Sequence, residues 1–193
     1  YRKHGESYGP MRTPFEFYLR KDLNNIFFLR DPRDLIISKY YSIAYSHPIP
    51  SNDKVKEEFL KKREHAKSIN INDFFIEQID NWILPHYMKY KDMRENSKYS
   101  SFHKYEDLKD KPKKIFLEIT NNMNVKISEK SLDKLILEFE KPFKQKQEKK
   151  QDRKYLHERS GKSRQFEYEL NKKVLDVGNK KLKNVLEFWN FKV

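Results

Sequence analysis

The chain has 193 residues and a formal net charge of +13, because 42 lysines and arginines outnumber 29 aspartates and glutamates. Hydrophobic residues make up 36% and aromatic residues 15%, which excludes a largely disordered chain, since aromatic side chains bury large areas. The lack of cysteine excludes a disulfide scaffold and a thiolate metal site. No apolar run approaches the roughly 18 residues of a membrane span. We expect a single domain over residues 1–193 with anionic partners.

The first predicted elements are a strand and a helix joined by a tight turn. Residues 25–29 form a short run that is apolar after Asn25, typical of a parallel strand covered on both faces. After it, Asp31 suits a helix N-cap, Pro32 the first helical position and Asp34 the acidic position of a capping box. The pattern therefore places Arg30 at the carboxyl end of the strand, where open α/β sheets bind ligands.

Further along, the apolar spacing predicts a helix over residues 71–93 that Pro85 kinks or breaks. Residues 98–103 form a second candidate strand, and another helix opens at Tyr105. Because two strands are each followed by a helix, we expect them to form a parallel sheet.

The last third of the chain is predicted to hold two helices separated by a loop. One helix begins at Ser128 and ends near Pro142. Residues 144–164 are nearly free of apolar side chains and crowded with lysine, arginine and glutamine, which predicts an exposed, mobile basic loop. An apolar stripe over residues 175–189 predicts a closing helix that packs on the sheet.

Arg30 and Ser38 are candidates for a phosphate clamp. They stand eight positions apart, one at the end of the strand and one inside the helix that follows. A guanidinium fork donates two parallel charged hydrogen bonds, and a hydroxyl adds a third. The spacing alone permits an alternative in which Arg30 pairs with Asp31 or Asp34 and Ser38 faces solvent.

The residues around Arg30 also carry a resemblance. Residues 27–34 (FFLRDPRD), with Ser38 after them, resemble the 3′-phosphate-binding motif of the sulfotransferases that use 3′-phosphoadenosine 5′-phosphosulfate (PAPS). Residues 102–108 (FHKYEDL) resemble the family's strand-to-helix segment, whose tyrosine contacts the adenosine. This resemblance implies that Tyr105 binds the cofactor.

A third segment, Arg159-Ser160-Gly161, resembles the family's late segment, whose arginine and backbone amides close over the same 3′-phosphate. The three segments occur in the family's order. The resemblance therefore implies that Arg30, Ser38 and all three late residues bind PAPS. It also implies a three-layer, P-loop-like α/β fold with a short parallel sheet flanked by helices, and no need for a metal.

Two departures from the family pattern stand out. The family commonly has a second glycine and a tryptophan where this chain has Arg164 and Phe166, so we expect a different local shape of the late loop. The glycine-rich loop that binds the 5′-phosphosulfate does not occur in the 193 residues. We therefore expect the domain to be incomplete at its N terminus, with further residues upstream of Tyr1 in the active protein.

The resemblance also indicates a catalytic base. In cytosolic-type relatives a histidine shortly before the arginine strand takes this role, which indicates His4, 26 residues before Arg30. Golgi-type relatives use a carboxylate, which makes Glu6 the alternative. We expect a cytoplasmic protein, with a Golgi-lumenal domain as the alternative.

The sequence and its resemblance thus predict transfer of the sulfuryl group of PAPS to a hydroxyl or amine acceptor. The charge of +13 allows this acceptor to be an acidic glycan. A nucleotide or nucleoside kinase of P-loop type is a second hypothesis, but it demands a Walker loop that the chain lacks. A third is a basic domain that binds nucleic acid without catalysis, which explains the charge but not the ordered motifs.

Overall fold

The protein has an α/β fold in which helices flank a short parallel sheet. A computed structural model describes residues 24–146 and 163–192. Within them the sheet has two strands, β1 (Asn25–Leu29) and β2 (Ser100–Lys104), which pair in parallel. Both predicted strands and their parallel arrangement are confirmed, but the expected cover on both faces of β1 is wrong, since Phe28 is 42% exposed. The parallel pairing brings the carboxyl ends of the two strands to the same edge of the sheet.

Helices make up most of the described chain. In chain order they are α1 (Pro32–Tyr41), α2 (Asp53–Ser68), α3 (Ile71–Gln78), α4 (Leu84–Asn96), α5 (Tyr105–Asp110), α6 (Pro112–Asn122), α7 (Glu129–Lys146), α8 (Phe166–Glu169) and α9 (Lys172–Phe188). Two π-helical turns follow α1 and α3, at Ser42–Ser46 and Ile79–Ile83. The second one lies just before Pro85, which sits in the first turn of α4. The α-helical pattern predicted over residues 71–93 is thus interrupted just before Pro85 by a π-helical turn, but the chain stays helical and does not break there.

At the start of helix α1, the predicted N-cap is present but the predicted capping box is not. Asp31 is the N-cap, and its carboxylate accepts a hydrogen bond of 2.9 Å from the amide of Arg33, with Pro32 in the first turn. The capping box predicted for Asp34 is wrong. The amide of Asp31 donates instead to Oε1 of Glu106, at 3.1 Å, and the Asp34 carboxylate is wholly buried and accepts from other amides.

The hydrophobic core lies where α1, α3, α4 and α9 meet. Its side chains include Ile36, Phe75 and Leu186, each with no exposed surface. Gly178 of α9 lies directly against the Phe75 ring, and a Cβ at Gly178 would stand 2.5 Å from a ring carbon. Because this distance is too short for real Cβ contacts, the two helices approach as closely as they do only with glycine there.

Two helices differ from the sequence-based expectation. Helix α2 has no counterpart in the prediction, because it is exposed almost all round and only Ala66 is buried, so its apolar face is too narrow to give a pattern. Helix α7 continues to Lys146, past the end predicted near Pro142. A proline removes one backbone hydrogen bond and can kink a helix without ending it.

None of the helices in the described ranges is long and apolar enough to cross a membrane.

Candidate anion-binding site

The candidate site is built around Arg30, the residue that follows β1. Its Nη1 donates a hydrogen bond of 2.6 Å to Oγ of Ser38, and its side chain is 22% exposed. Its Nη2 lies 3.9 Å from Oδ2 of Asp34. The structure thus brings Arg30 and Ser38 into contact, as the phosphate-clamp prediction requires, and it also shows the Asp34 pairing that the alternative proposed.

Tyr105 is brought to the same place by the second strand. It is the first residue of α5, directly after β2, and the guanidinium carbon of Arg30 lies 5.9 Å from the centre of its ring. A cation and an aromatic face attract each other over this distance. Because β1 and β2 are parallel neighbours, the residues that follow them meet at one edge of the sheet.

The Asp34 carboxylate attaches a late part of the chain to α1. Its Oδ2 accepts from the amide of Arg164 at 2.7 Å, and its Oδ1 accepts from the amide of Phe166 at 3.2 Å. Burial raises the pKa of Asp34, while Arg30 and the two amides oppose the rise. A buried carboxylate with two amide donors is held in a fixed position. The backbone at Arg164 and Phe166 is therefore held on the carboxylate that also lies 3.9 Å from the Arg30 guanidinium.

Arg164 and Phe166, the two departures from the family pattern, each have a defined place. Arg164 has a φ of 62°, in the left-handed region that favours glycine, so the backbone adopts there the conformation that a glycine provides without strain. Phe166 is 2% exposed, and the guanidinium of Arg33 lies 3.9 Å from the centre of its ring. Arg33 is itself buried and paired with Asp31, so its place is in the interior and not in the site.

Two residues that the sequence analysis did not single out for function contact the turn at Arg30. The hydroxyl of Tyr87, on α4, donates to the backbone carbonyl of Arg30. Oε1 of Glu106, on α5, accepts from the amide of Asp31. Their contacts join residues 57 and 75 positions apart, which local spacing cannot show. The one available signal was that Glu106 neighbours Tyr105 in the FHKYEDL segment.

The charged groups around Arg30 shift one another's titration. Burial raises the pKa of Glu106, and the nearby Arg30 works against this rise. Burial also lowers the pKa of Lys109, with Arg30 as the second cause. Apart from Asp31, which is paired with Arg33, the described charges that these shifts place next to Arg30 are one further cation, Lys109, and two carboxylates, Asp34 and Glu106. These four groups balance one another in formal charge.

The remaining predicted site residues cannot be placed. The candidate bases His4 and Glu6 and the late residues Arg159, Ser160 and Gly161 lie outside the described residues, as does most of the predicted basic loop. Within residues 24–146 and 163–192, no three histidine, aspartate or glutamate side chains form a group that could hold a metal ion.

The geometry defines an α/β protein in which a partly exposed arginine and a serine hydroxyl meet at the carboxyl edge of its parallel strands, a place suited to an anionic ligand. The family model of the sulfotransferase domain matches residues 10–186. The chain therefore belongs to the sulfotransferase family, a family of transferases with a P-loop-like fold, and the resemblance seen in the sequence is confirmed. No curated protein matches the chain.

Proposed function

We propose that this sulfotransferase uses PAPS as its donor and transfers the sulfuryl group to a hydroxyl or amine of its acceptor. In this proposal Arg30, Ser38 and Arg159 hold the 3′-phosphate, Tyr105 contacts the adenosine, and the late backbone at Ser160 and Gly161 closes over the phosphate. The observation that carries the proposal is the contact between Arg30 and Ser38 at the carboxyl edge of the sheet.

The chemistry of these side chains suits a ribose phosphate. The Arg30 guanidinium is planar, always charged and partly exposed, so it can turn a donor pair toward a phosphate while its stem stays packed. The Ser38 hydroxyl now accepts from Arg30, and it can rotate to donate to a phosphate oxygen. Together they offer charge-assisted hydrogen bonds to one anion.

The charge balance supports a role for Arg159. The positive charges of Arg30 and Lys109 are balanced by the carboxylates of Asp34 and Glu106. The described groups therefore supply no excess positive charge for a dianionic phosphate. Arg159 precedes Arg164 by five residues, and five residues span at most about 18 Å when extended. The anchoring of Arg164 on α1 is therefore compatible with delivery of a second guanidinium to the site.

Catalysis in this proposal rests on positioning and charge. When bound, PAPS supplies an activated sulfuryl group whose leaving group is a phosphate. The side chains of this protein hold that donor in one orientation and neutralise its charge, which are the two largest contributions to a group transfer of this kind. A base takes the proton of the acceptor hydroxyl, and we assign it to His4, with Glu6 as the alternative. The net charge of +13 favours an anionic acceptor such as an acidic glycan.

Ligand preference tests the proposal. We expect adenosine 3′,5′-bisphosphate to bind at least tenfold more tightly than adenosine 5′-monophosphate, because only the bisphosphate reaches Arg30 and Ser38. Adenosine 2′,5′-bisphosphate is the matched control, since it carries the same charge at another ribose position and should resemble the monophosphate. Isothermal titration calorimetry measures all three dissociation constants. Equal affinity for the three nucleotides would contradict a 3′-phosphate site.

The same titrations separate the competing hypotheses. A kinase would prefer ATP with Mg²⁺ over either bisphosphate. A nucleic-acid-binding domain would ignore the position of the phosphate and would bind an oligonucleotide with an affinity that falls steeply as salt rises.

A further inference from the structure

We propose that Tyr87 and Glu106 are positioning residues that fix the peptide group between Arg30 and Asp31 and thereby aim the Arg30 side chain at the anion. The inference rests on the proposed function, because it assumes that Arg30 binds the 3′-phosphate. It adds two residues from other elements that no motif near Arg30 contains.

The geometry behind the inference is a single peptide group held at both ends. The carbonyl of Arg30 and the amide of Asp31 belong to the same planar unit. The Tyr87 hydroxyl donates to the carbonyl, and the Glu106 carboxylate accepts from the amide at 3.1 Å. Because the unit is planar, two contacts from opposite sides fix its orientation. The remaining freedom of Arg30 is then in its side-chain torsions.

This peptide group needs partners from elsewhere because of where it lies. Arg30 follows β1 and precedes the N-cap Asp31, so its peptide group stands between the sheet and the helix. The N-cap amide lies ahead of the hydrogen-bonded helix, and such groups depend on side chains or water. Tyr87 and Glu106 come from two different helices, α4 and α5, and each contacts one end of the peptide group.

The state of the two side chains indicates a role beyond packing. Tyr87 is 1% exposed, so its hydroxyl has been moved out of water to reach the Arg30 carbonyl. The second carboxylate oxygen of Glu106 is buried and has no hydrogen-bond partner within the described residues. A buried, half-satisfied carboxylate costs stability, so an apolar residue, which makes no contact to the Asp31 amide, would suit a purely structural position better. The loss of stability from the buried Glu106 carboxylate is explained if its contact to the peptide group serves ligand binding.

Three variants test the inference. Tyr87→Phe removes one contact, Glu106→Ala removes the other, and Glu106→Gln keeps an acceptor for the Asp31 amide while it loses the charge. We expect Tyr87→Phe and Glu106→Ala to weaken adenosine 3′,5′-bisphosphate binding about tenfold and to leave adenosine 5′-monophosphate binding within about twofold. Glu106→Gln should retain most of the preference.

The control is Tyr90→Phe, the same substitution one turn along α4. Tyr90 packs against Phe27 and Tyr87 by ring contacts, and we expect its dissociation constants to match those of the unsubstituted protein. Thermal unfolding is recorded for every variant, and Tyr87→Phe, which keeps the ring, decides the matter if Glu106→Ala does not fold.

The outcomes separate this inference from the proposed function. An unsubstituted protein without a 3′-phosphate preference defeats the proposed function and, with it, the inference. An unsubstituted protein with the preference, together with a Tyr87→Phe variant that keeps it or weakens both nucleotides equally, overturns the inference alone. A Glu106→Gln variant as weak as Glu106→Ala overturns the positioning role of Glu106, because the charge and not the contact would then matter.

Discussion

Arg30 and Arg33 are three residues apart, but their guanidinium groups have opposite environments. Arg30 is 22% exposed and contacts one hydroxyl and one carboxylate. Arg33 is 1% exposed, pairs with Asp31 at 2.7 Å and covers the ring of Phe166. Of the two, Arg30 is therefore the one that a ligand can reach.

The Arg30→Ala substitution should weaken binding of adenosine 3′,5′-bisphosphate by about 2–4 kcal/mol, the range for removal of one partner of a desolvated charge pair. Arg30→Lys should recover part of this loss, because it keeps the charge without the planar fork. Calorimetry measures the dissociation constants, and thermal unfolding checks the fold.

The matched control for Arg30→Ala is Arg94→Ala. Arg94 is an exposed arginine on α4 whose guanidinium lies 5.0 Å from the centre of a Trp189 ring. Its removal changes the net charge by the same amount but should leave the dissociation constant within about twofold. Equal losses in the two variants would show that binding depends on overall charge and not on Arg30.

The local part of this site could be predicted from the sequence, and the distant part could not. Arg30 and Ser38 lie on a strand end and the helix that follows, so their spacing brings them within reach of each other but leaves open whether Arg30 pairs with Asp34 instead. The resemblance indicated Tyr105, and the parallel pairing of the two strands is what brings it to Arg30. The contacts of Tyr87 and Glu106 depend on how α4 and α5 pack against the turn, which no local spacing encodes.

At the scale of elements, the approach of α3 and α9 depends on one position. Gly178 faces the Phe75 ring, which is wholly buried. Helix propensity alone would favour alanine over glycine by about 1 kcal/mol. The close contact between the helices disfavours alanine at this position. It is the larger effect on stability if the Phe75 ring cannot shift.

We therefore expect Gly178→Ala to lower the free energy of unfolding by about 1–2 kcal/mol, the net of overpacking and helix propensity. Urea unfolding followed by circular dichroism measures the change. Val177→Ala, at the exposed neighbouring position on the same helix, should change it by no more than about 0.5 kcal/mol. A more stable Gly178→Ala protein would show that the ring moves aside at little cost.

The elements predicted well are those with strong local signals. The apolar run of β1, the N-cap of α1 and the apolar stripe of α9 each specify their element in a few residues. Helix α2 was missed because its surface is nearly all exposed, which leaves no periodic pattern. The capping box at Asp34 failed because backbone amides near residue 165 compete for its carboxylate, and that competition exists only in the folded chain.

At the scale of the whole molecule, Arg33 joins parts of the chain that are far apart in sequence. Besides its pair with Asp31, it donates to Asn179 of α9 at 2.7 Å and to the backbone carbonyl of Lys192. Its guanidinium also covers Phe166 of α8. One buried cation thus connects the start of α1 with the late helices and with the last residues described.

Replacement of Arg33 should therefore destabilise the protein as a whole. We expect Arg33→Met to lower the free energy of unfolding by about 3–5 kcal/mol, because Asp31 is left buried and unpaired. Urea unfolding measures it. Lys61→Ala, which breaks an exposed pair with Glu57, should cost less than about 1 kcal/mol and serves as the comparison. Similar small losses in both variants would refute the connecting role.

The inward position of Arg33 affects how a mutational scan of residues 30–34 is interpreted. Inactive substitutions at Arg30 and at Arg33 would look alike in an assay at one temperature, although one removes a ligand contact and the other depletes the folded population. Assays over a cooling series distinguish them, since activity returns in the cold only where misfolding was the cause. A heat-sensitive phenotype from the second arginine of FFLRDPRD is thus no evidence that this residue touches the nucleotide.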